Sequence, residues 1–325
     1  MQLYCNNTKF IYICQIQSSL IQQNGMENTY DVIIIGGSYA GLSAAMALGR
    51  SLRKVLIIDS GLPCNRHTPH SHNFLTQDGE TPAAIAQKAK KQVEQYPGIS
   101  FLKDKATEGK KTYFGFEIKT ESSKTFSAKK LLFATGVNDI MPNINGFEDC
   151  WAISVIHCPY CHGYEVKGKK TAILANGDAA LHYTKLLKQL TNNITIFTNG
   201  PADFDNNSLS KLKEHDISII EDKITKLKHS KGQVEQIFMQ NGDVYDFPVI
   251  YYRPKNTQHC NIPQELGCEI NEMGYLTVNQ MQQTSVPGIY AAGDNCTPAR
   301  SVALAVAGGM MAGAGINADL ASEVF

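Results

Sequence analysis

The sequence predicts an α/β fold with two doubly wound, three-layer domains, and three observations support this prediction. At 325 residues the chain is longer than one hydrophobic core usually serves, so two domains are expected. Two strand–turn–helix–strand units begin near residues 30 and 170, and such units build parallel sheets. Their strands are continuous apolar runs, as expected where helices cover both faces of a sheet.

The first unit begins with the apolar run Tyr30–Ile35, which predicts a buried strand. A glycine-rich turn over 36–41 follows, and then an Ala- and Leu-rich helix over Leu42–Ser51. The second buried strand is Lys54–Asp59. The second unit repeats the pattern, with its first strand over Lys170–Ala175. Further predicted elements are a helix at Pro82–Gln95, antiparallel strands around Thr112–Lys119, strands at Lys130–Gly136, Ile194–Thr198 and Gly288–Asp294, short strands within 217–252, and a last helix at Ser301–Leu320.

Composition excludes several classes of protein. Hydrophobic content is 43% and charged content 18%, which argues against disorder. Lys+Arg and Asp+Glu are 30 each, and no segment is strongly basic, so neither nucleic acid nor a charged membrane surface is an expected partner. No run of 18 apolar residues predicts a membrane span, and residues 1–25 lack the features of a signal peptide. We expect Met26 to be the natural start, residues 1–25 to be a poorly ordered extension, and the protein to be cytoplasmic.

The turn after the first strand has the residue spacing of a dinucleotide-binding motif, with key positions Gly36, Ser38 and Gly41. Small residues let a pyrophosphate approach the helix N-terminus, where free N–H groups receive it. Asp59 ends the second strand, where an acid can hold a ribose. The alternative is a merely tight β–α turn, but the full strand–turn–helix context favours a Rossmann-like nucleotide site.

The segment 157–162, His-Cys-Pro-Tyr-Cys-His, carries redox chemistry. Cys158 and Cys161 have the spacing that closes and reopens a small disulfide ring, while His157 and His162 can relay protons near neutral pH. The other seven of the nine cysteines are irregularly spaced and predict free thiols in a reducing compartment.

Three other readings of this segment compete with the redox pair. Attachment of c-type haem needs export, and no signal peptide is expected. A zinc site needs four ligands, and no second pair lies nearby. Buried structural thiols do not account for the two flanking histidines. The redox interpretation is therefore preferred, with no metal expected.

In this order the motifs resemble the low-molecular-weight thioredoxin reductase family of two-domain flavoproteins. The resemblance extends from Tyr30 to Leu320 and also uses the segment 134–136, the pair Gly293-Asp294, and Arg300. It implies a homodimer with FAD as cofactor. It further implies a discontinuous FAD domain of 26–140 and 253–325, into which a pyridine-nucleotide domain of 141–252, carrying the cysteine pair, is inserted.

The resemblance also implies residue roles. Asp59 would hold the adenosine ribose, Asp294 would contact the ribityl chain, and the backbone after Arg300 would face the flavin. Cys161 would lie against the flavin, and Cys158 would exchange with the substrate. The implied FAD-binding set is Gly36, Ser38, Gly41, Asp59, Gly136, Gly293, Asp294, Arg300 and Ser301, and the implied catalytic set is Cys158, Cys161, His162 and His157.

The position after the second cysteine normally holds an acid in this family, and here it is His162. With His157, this makes the segment similar to a branch that contains dithiol oxidases. The stretch 73–79 also resembles that branch, which would put His70 or His72 near the flavin.

The second nucleotide site departs from the family pattern. Its glycine triplet begins with Ala175, and no Arg or Lys lies between Thr198 and Ser210, where a 2′-phosphate would need cationic partners. Efficient use of NADPH is therefore not expected.

Several functions stay open at this point. One is a reductase that passes electrons from NAD(P)H, or a donor such as ferredoxin, to a thioredoxin-like disulfide. Another is a thiol oxidase that passes electrons from a small-molecule or protein dithiol to oxygen. A flavin-binding sensor without turnover is the third.

Overall fold

The computed structural model describes residues 28–325, and these fold into two compact units. The first consists of residues 28–62, 89–136 and 258–325, and the second of 63–88 and 137–257. Each contains a parallel sheet with helices, so the predicted α/β fold with two Rossmann-like domains is confirmed. The expected extension, residues 1–25, lies outside the described residues.

The first unit is built on a seven-stranded sheet of mixed direction. Strands β1, β2, β3, β6 and β17 run parallel, and β4 and β5 join β6 as an antiparallel hairpin. Their bounds are β1 Thr29–Ile35, β2 Val55–Asp59, β3 Ile99–Lys103, β4 Ala106–Thr112, β5 Gly115–Thr120, β6 Thr125–Phe133 and β17 Ile289–Ala291.

Alternate residues of the central strands point to opposite faces of this sheet, as the two-residue period of a strand requires. Ile34 and Ile57 belong to the core that also contains helix α1, Tyr39–Arg50, and the C-terminal helix α8, Val302–Ser322. Their neighbours Ile33 and Ile58 belong to a second core with residues of β5 and β6. Both faces are therefore covered, which explains the continuous apolar runs in the sequence.

Helix α8 is apolar on all sides up to Ile316, and Asn317 and Asp319 are polar residues near its C-terminal end. Glycines bring it close to α1, because a Cβ on Gly309 would collide with the backbone of Ala40 and one on Gly313 would crowd the backbone of Ala44. By length and composition α8 also meets the requirements for a membrane span, although a helix packed in a protein core meets the same requirements.

The second unit contains a five-stranded parallel sheet and an antiparallel meander. Alternating βα segments in the sequence predict the sheet, and glycine turns at Lys231-Gly232 and Asn241-Gly242 join the meander strands. A two-stranded sheet pairs β7 with β16. The strands are β7 Val137–Ile140, β8 Val155–Ile156, β9 Thr171–Leu174, β10 Ile194–Phe197, β11 Ser218–Ile220, β12 Ile224–Ser230, β13 Gln233–Met239, β14 Val244–Asp246, β15 Val249–Tyr252 and β16 Lys255–Gln258.

Helices complete the two units. Besides α1 and α8 they are α2 Pro82–Val93, α3 Phe147–Cys150, α4 Pro159–His162, α5 Gly177–Leu187, α6 Asn206–Glu214 and α7 Ile262–Glu265, with 3₁₀ turns at Cys64–His67 and Tyr164–Val166.

The division into units differs from the sequence expectation in one segment. Residues 63–88 were expected in the first domain, but they pack with the second unit. The contacts that join this segment to the second unit include that of His72 with Glu165, whose Nε2 and Oε1 atoms are 3.7 Å apart. The other boundaries shift by a few residues, from 140 to 136 and from 252 to 257.

Candidate functional site

The turn between β1 and α1 in the first unit is shaped for a closely bound ligand. Gly36 has φ +105°, and a Cβ there would collide with the carbonyl of Ala134. A Cβ on Gly41 would collide with the Gly36 carbonyl. Ser38 is the N-cap of α1, and its hydroxyl makes no capping hydrogen bond to the helix. Glycine is therefore required at 36 and 41, and the first helical turn keeps backbone N–H groups for a ligand.

Asp59 lies against this turn at the end of β2. Its Oδ1 accepts a hydrogen bond from the Gly37 backbone N–H at 3.0 Å. A side chain at Gly37 would press on Asp59, because a Cβ there would lie 2.9 Å from the Asp59 Cβ. Sequence reasoning named Asp59 but not Gly37, although the doubled glycine in the motif was a visible signal.

A second group of predicted residues meets the same helix. Gly293 has φ +89°, and a Cβ there would lie 3.1 Å from the Ala40 Cβ, in the first turn of α1. The next residue, Asp294, pairs through Oδ2 with the Arg300 Nε at 3.2 Å. Ser301 is the N-cap of α8, and its hydroxyl accepts from the Leu304 N–H. The structure thus brings Gly293, at the end of β17, to the nucleotide turn.

Three buried side-chain oxygens in this unit have no hydrogen-bond partner among residues 28–325, those of Thr135, Gln258 and Asn295. Asn295 is fully buried; its Nδ2 donates to the Phe133 carbonyl at 2.8 Å, but its Oδ1 accepts no hydrogen bond from residues 28–325. The buried hydroxyl of Thr135 also makes no hydrogen bond with residues 28–325. The next residue, Gly136, has φ +65°. Buried polar atoms are costly when unsatisfied, so they point to a polar ligand. The glycine cradle, Asp59 and these atoms fit a dinucleotide such as FAD.

The redox segment lies in the second unit, where Cys158 and Cys161 form a disulfide with Cα atoms 5.2 Å apart. Cys158 is the N-cap of α4, and its Sγ accepts from the Cys161 backbone N–H at 3.1 Å. A donor N–H at a thiolate stabilises the negative charge and lowers the energy of the reduced pair. The predicted cysteine pair therefore forms a disulfide at the start of α4, with a backbone N–H placed to stabilise a Cys158 thiolate.

His157 and His162 have different surroundings. The His157 ring stacks on Trp151, with centroids 5.7 Å apart, and its carbonyl accepts a hydrogen bond from the Tyr183 hydroxyl at 2.7 Å. Burial lowers the pKa of His162, and the nearby charge of His72 lowers it further, while Glu165 opposes the shift. A neutral His162 near pH 7 can accept a proton from a thiol.

Sequence reasoning missed the two residues, His72 and Glu165, that act on the pKa of His162. His72 lies between Asp78 and Glu165, with ring nitrogens 3.7 Å from a carboxylate oxygen of each. Asp78 and His72 share one loop, while Glu165 is three residues beyond His162. The position of Glu165 close to the cysteine motif could have indicated a role at this site. Its contact with His72 could not be predicted, because the two residues are far apart in the sequence.

In the second predicted dinucleotide turn, between β9 and α5, the side chain of Asn176 occupies backbone N–H groups. Asn176 Oδ1 accepts hydrogen bonds from the backbone N–H groups of Gly177 and Asp203, both at 2.9 Å. Its Nδ2 donates to the Pro201 carbonyl at 2.8 Å. One of the N–H groups that a pyrophosphate would use is therefore already bound, and Asp203 and Asp178 add negative charge at this turn.

Comparisons with known proteins show which family this chain belongs to. The sequence profile of the pyridine nucleotide-disulphide oxidoreductase family matches residues 30–312. Thioredoxin reductase sirT of Leptosphaeria maculans is 30% identical over 316 residues, which cover 90% of this chain and 97% of the relative.

Solved structures give the same result. An oxidoreductase from Agrobacterium tumefaciens has a TM-score of 0.84 at 36% identity, covering 90% of this chain and 98% of its own. A Bacillus anthracis protein described as thioredoxin reductase TrxB has a TM-score of 0.87 at 29% identity, covering 91% of this chain and 100% of its own. The chain therefore belongs to the pyridine nucleotide-disulphide oxidoreductase family and is a flavin-dependent disulfide oxidoreductase of the thioredoxin reductase type.

Proposed function

We propose that this enzyme is an FAD-dependent dithiol–disulfide oxidoreductase that works through Cys158 and Cys161 and does not use NADPH efficiently. Its partner would be a thioredoxin-like protein or a small-molecule dithiol. The names of the similar thioredoxin reductases support a dithiol partner, and the histidines on both sides of the cysteine pair support the branch that contains dithiol oxidases.

The proposal that NADPH is used inefficiently rests on one observation, the hydrogen bonds of the Asn176 side chain to backbone N–H groups at the second dinucleotide turn. A pyrophosphate would have to displace the Asn176 side chain from two backbone N–H groups. It would also approach Asp203 and Asp178, although a phosphate prefers cationic partners. The sequence offers no Arg or Lys between Thr198 and Ser210 to compensate.

The cradle at Gly36 and Gly41 supports FAD as the cofactor. In this proposal the first turn of α1 holds the pyrophosphate, and Asp59 holds the ribose. The unsatisfied oxygens of Thr135 and Asn295 would gain partners from the bound group or its waters. FAD, when bound, supplies a two-electron acceptor for the reduced cysteine pair.

The cysteine chemistry can be written with atoms and electrons balanced. A substrate thiol gives its proton to His162, and the thiolate attacks Sγ of Cys158. The Cys158–Cys161 bond breaks, Cys161 leaves as a thiolate, and a mixed disulfide with Cys158 forms. The second substrate thiol loses its proton to solvent and attacks the substrate sulfur. Cys158 then leaves as a thiolate that the Cys161 N–H stabilises, and two electrons have moved to the cysteine pair.

A second candidate, favoured by the neutral His162, is a thiol oxidase that uses oxygen as the final acceptor. A base beside the disulfide favours deprotonation of an incoming thiol, the step that begins oxidation of a dithiol. Uptake of oxygen that depends on both the dithiol and Cys158 would support this candidate. A reductase supplied by ferredoxin would instead turn over only with that donor.

The decisive experiment compares two reductants under anaerobic conditions. Dithiothreitol should bleach the yellow flavin absorbance of the purified protein, and NADPH at the same concentration should bleach it slowly or not at all. Cys158→Ser is the control for the dithiol path; it should keep the flavin but lose this reduction.

Each outcome separates the hypotheses. Rapid bleaching at micromolar NADPH would overturn the proposal that NADPH is used inefficiently. Failure of dithiothreitol to reduce the flavin would favour a sensor without turnover. Colourless protein that cannot be reconstituted with FAD would overturn the cofactor assignment.

A further inference from the structure

The redox segment is fixed to helix α5 just before its first cysteine. The Tyr183 hydroxyl, in the second turn of α5, donates a hydrogen bond to the His157 backbone carbonyl at 2.7 Å. Tyr183 is 5% exposed, and its ring centroid lies 5.7 Å from that of Tyr251 in a core of the second unit. The hydroxyl therefore reaches the backbone from a buried and well-packed position.

Residue 157 is also held through its side chain. The His157 ring stacks on Trp151, with the two ring planes 25° apart. The peptide that contains the His157 carbonyl leads directly into Cys158. Because a peptide is planar, fixing this carbonyl leaves the φ angle of Cys158 as the only soft rotation between the bonded peptide and the Cys158 Cα.

The chain after the disulfide is held by the turn that follows α5. A Cβ on Gly163, directly after α4, would lie 2.5 Å from the Leu190 Cδ1. The Leu190 carbonyl accepts a hydrogen bond from the Gly168 N–H at 2.8 Å. The redox segment is thus held on both sides of the disulfide by α5 and the residues that follow it.

The backbone conformation of Cys158 matters for the reduced pair. As the N-cap of α4, Cys158 has φ −110° and ψ 111°, extended values that an N-cap residue normally adopts. In this conformation its Sγ accepts from the Cys161 N–H at 3.1 Å. A hydrogen bond to a thiolate is charge-assisted and favours the ionised form, so weakening it would raise the pKa of reduced Cys158.

We propose that Tyr183 is a positioning residue of the disulfide site. By holding the His157 carbonyl, its hydroxyl keeps Cys158 in the N-cap conformation in which the Cys161 N–H stabilises the thiolate. This inference rests on the proposed function, in which Cys158 exchanges with the dithiol, and adds to it a residue that acts through the backbone.

The Tyr183 hydroxyl stays a hydrogen-bond donor at every pH at which the cysteines react. Burial raises the pKa of Tyr183 to about 12, although the charge of Arg253 opposes the shift. The titratable groups in and around the redox segment are the same in every variant compared below, namely His157, His162, Glu165 and His72.

The test measures the thiolate pKa of Cys158 in a Cys161→Ser background, where Cys158 is a free thiol and the backbone N–H of residue 161 is kept. The rate of alkylation by iodoacetamide is followed against pH by peptide mass spectrometry. Tyr183→Phe removes only the hydroxyl. It should raise the pKa of Cys158 by about 0.5–1 unit, because the N–H···S hydrogen bond is then held less firmly.

Tyr251→Phe is the matched control. It removes one buried hydroxyl from the same core, but this hydroxyl makes no hydrogen bond with residues 28–325. The variant should therefore leave the Cys158 pKa unchanged. Its free energy of unfolding should not fall, because an unsatisfied polar group is lost.

An unchanged Cys158 pKa in Tyr183→Phe would overturn the inference, since a hydroxyl with a purely structural role would change the free energy of unfolding without shifting the thiolate. So would an equal shift in Tyr251→Phe, which would trace the effect to looser core packing. The titration needs no dithiol and no flavin reduction. A wild-type protein that dithiols cannot reduce would therefore contradict the proposed function and leave the role of Tyr183 to be decided by alkylation.

Discussion

Burial separates the inert cysteines from the redox pair at the scale of single residues. Burial raises the pKa of the Cys150 thiol to about 11 and that of the Cys296 thiol to about 12. Because the thiolate is the reactive form, about one Cys150 in a thousand would be reactive at pH 8. By contrast, the Cys161 N–H stabilises the thiolate of reduced Cys158.

Alkylation of the reduced protein tests this difference. With iodoacetamide at pH 8, we expect Cys158 to be modified first and Cys150 and Cys296 to stay unmodified until the protein is denatured. Peptide mass spectrometry reads the sites. Labelling of Cys150 in folded protein should rise about tenfold per pH unit below its pKa; fast labelling at pH 8 would contradict its buried environment.

The two redox cysteines should also differ from each other. Cys161→Ser keeps the backbone N–H that stabilises the Cys158 thiolate, so we expect it to form a persistent mixed disulfide with an aromatic disulfide reagent. Cys158→Ser lacks that stabilised thiolate and should react much more slowly. Intact-protein mass spectrometry measures both adducts, and a faster reaction of Cys158→Ser would assign substrate exchange to Cys161 instead.

The site residues that belong to a local sequence pattern could be predicted. Gly36, Gly41 and Asp59 were predictable because the turn needs them at fixed offsets, and the cysteine pair because its spacing alone permits the disulfide. His72 and Glu165 were not predictable as a pair, because no local rule links two residues so far apart. Their proximity depends on the packing of a whole loop.

Two adjacent glycines in helix α8 test how closely elements pack. A Cβ at 309 would collide with the Ala40 backbone. A Cβ at 308 would meet the Gln282 side chain at 3.5 Å and the Ala292 Cβ at 3.9 Å, and both are ordinary contacts. Gly309→Ala should therefore destabilise the protein by about 1–3 kcal/mol. Gly308→Ala should stabilise it by about 0.5–1 kcal/mol, because alanine restricts the unfolded chain more than glycine.

Denaturant unfolding of the two variants measures these free energies. The pair is matched in position, helix and substitution, so a difference in sign isolates the contact with α1. Equal effects of Gly308→Ala and Gly309→Ala would show that the close approach of the two helices is not what requires glycine at 309.

Element types were predictable where the periodicity was strong, and their ends were not. The run Tyr30–Ile35 became β1 almost unchanged because Val32–Ile35 are all buried. Antiparallel strands were expected around Thr112–Lys119, and antiparallel β4 and β5 lie there, but the segment also contains their hairpin turn, with Tyr113 and Phe114 exposed at its tip. Aromatic residues favour strands in general, and only the register of the hairpin shows that these two form the turn.

At the scale of the whole molecule, the two-domain organisation follows from the repeated βαβ unit. The structure has two compact units, each assembled from more than one segment of the chain and each with its own pair of cores. The place of residues 63–88 was not predictable from order along the chain. A segment without a sheet of its own packs against the unit that offers it more contacts. For residues 63–88 this is the second unit, where His72 contacts Glu165.

Because the two units have separate cores, we expect FAD to change their stabilities by different amounts. In our proposal FAD contacts the first unit through Gly36, Gly41 and Asp59, so it should stabilise that unit by mass action. At a hundredfold excess over the dissociation constant, this gain is about 2.7 kcal/mol. Hydrogen exchange followed by mass spectrometry should show slower exchange in β1, β2 and α8 of the FAD-loaded protein than in the apoprotein.

The core strands of the second unit supply the internal comparison. Peptides from β9 and β10 are buried in their own core and contain no residue assigned to FAD. Their slowest exchange should change little with FAD, because it reports the opening of the second unit. An equal gain in protection for both units would show that they unfold as one cooperative body. A gain confined to β9 and β10 would place the flavin in the second unit and overturn the assignment of the glycine cradle.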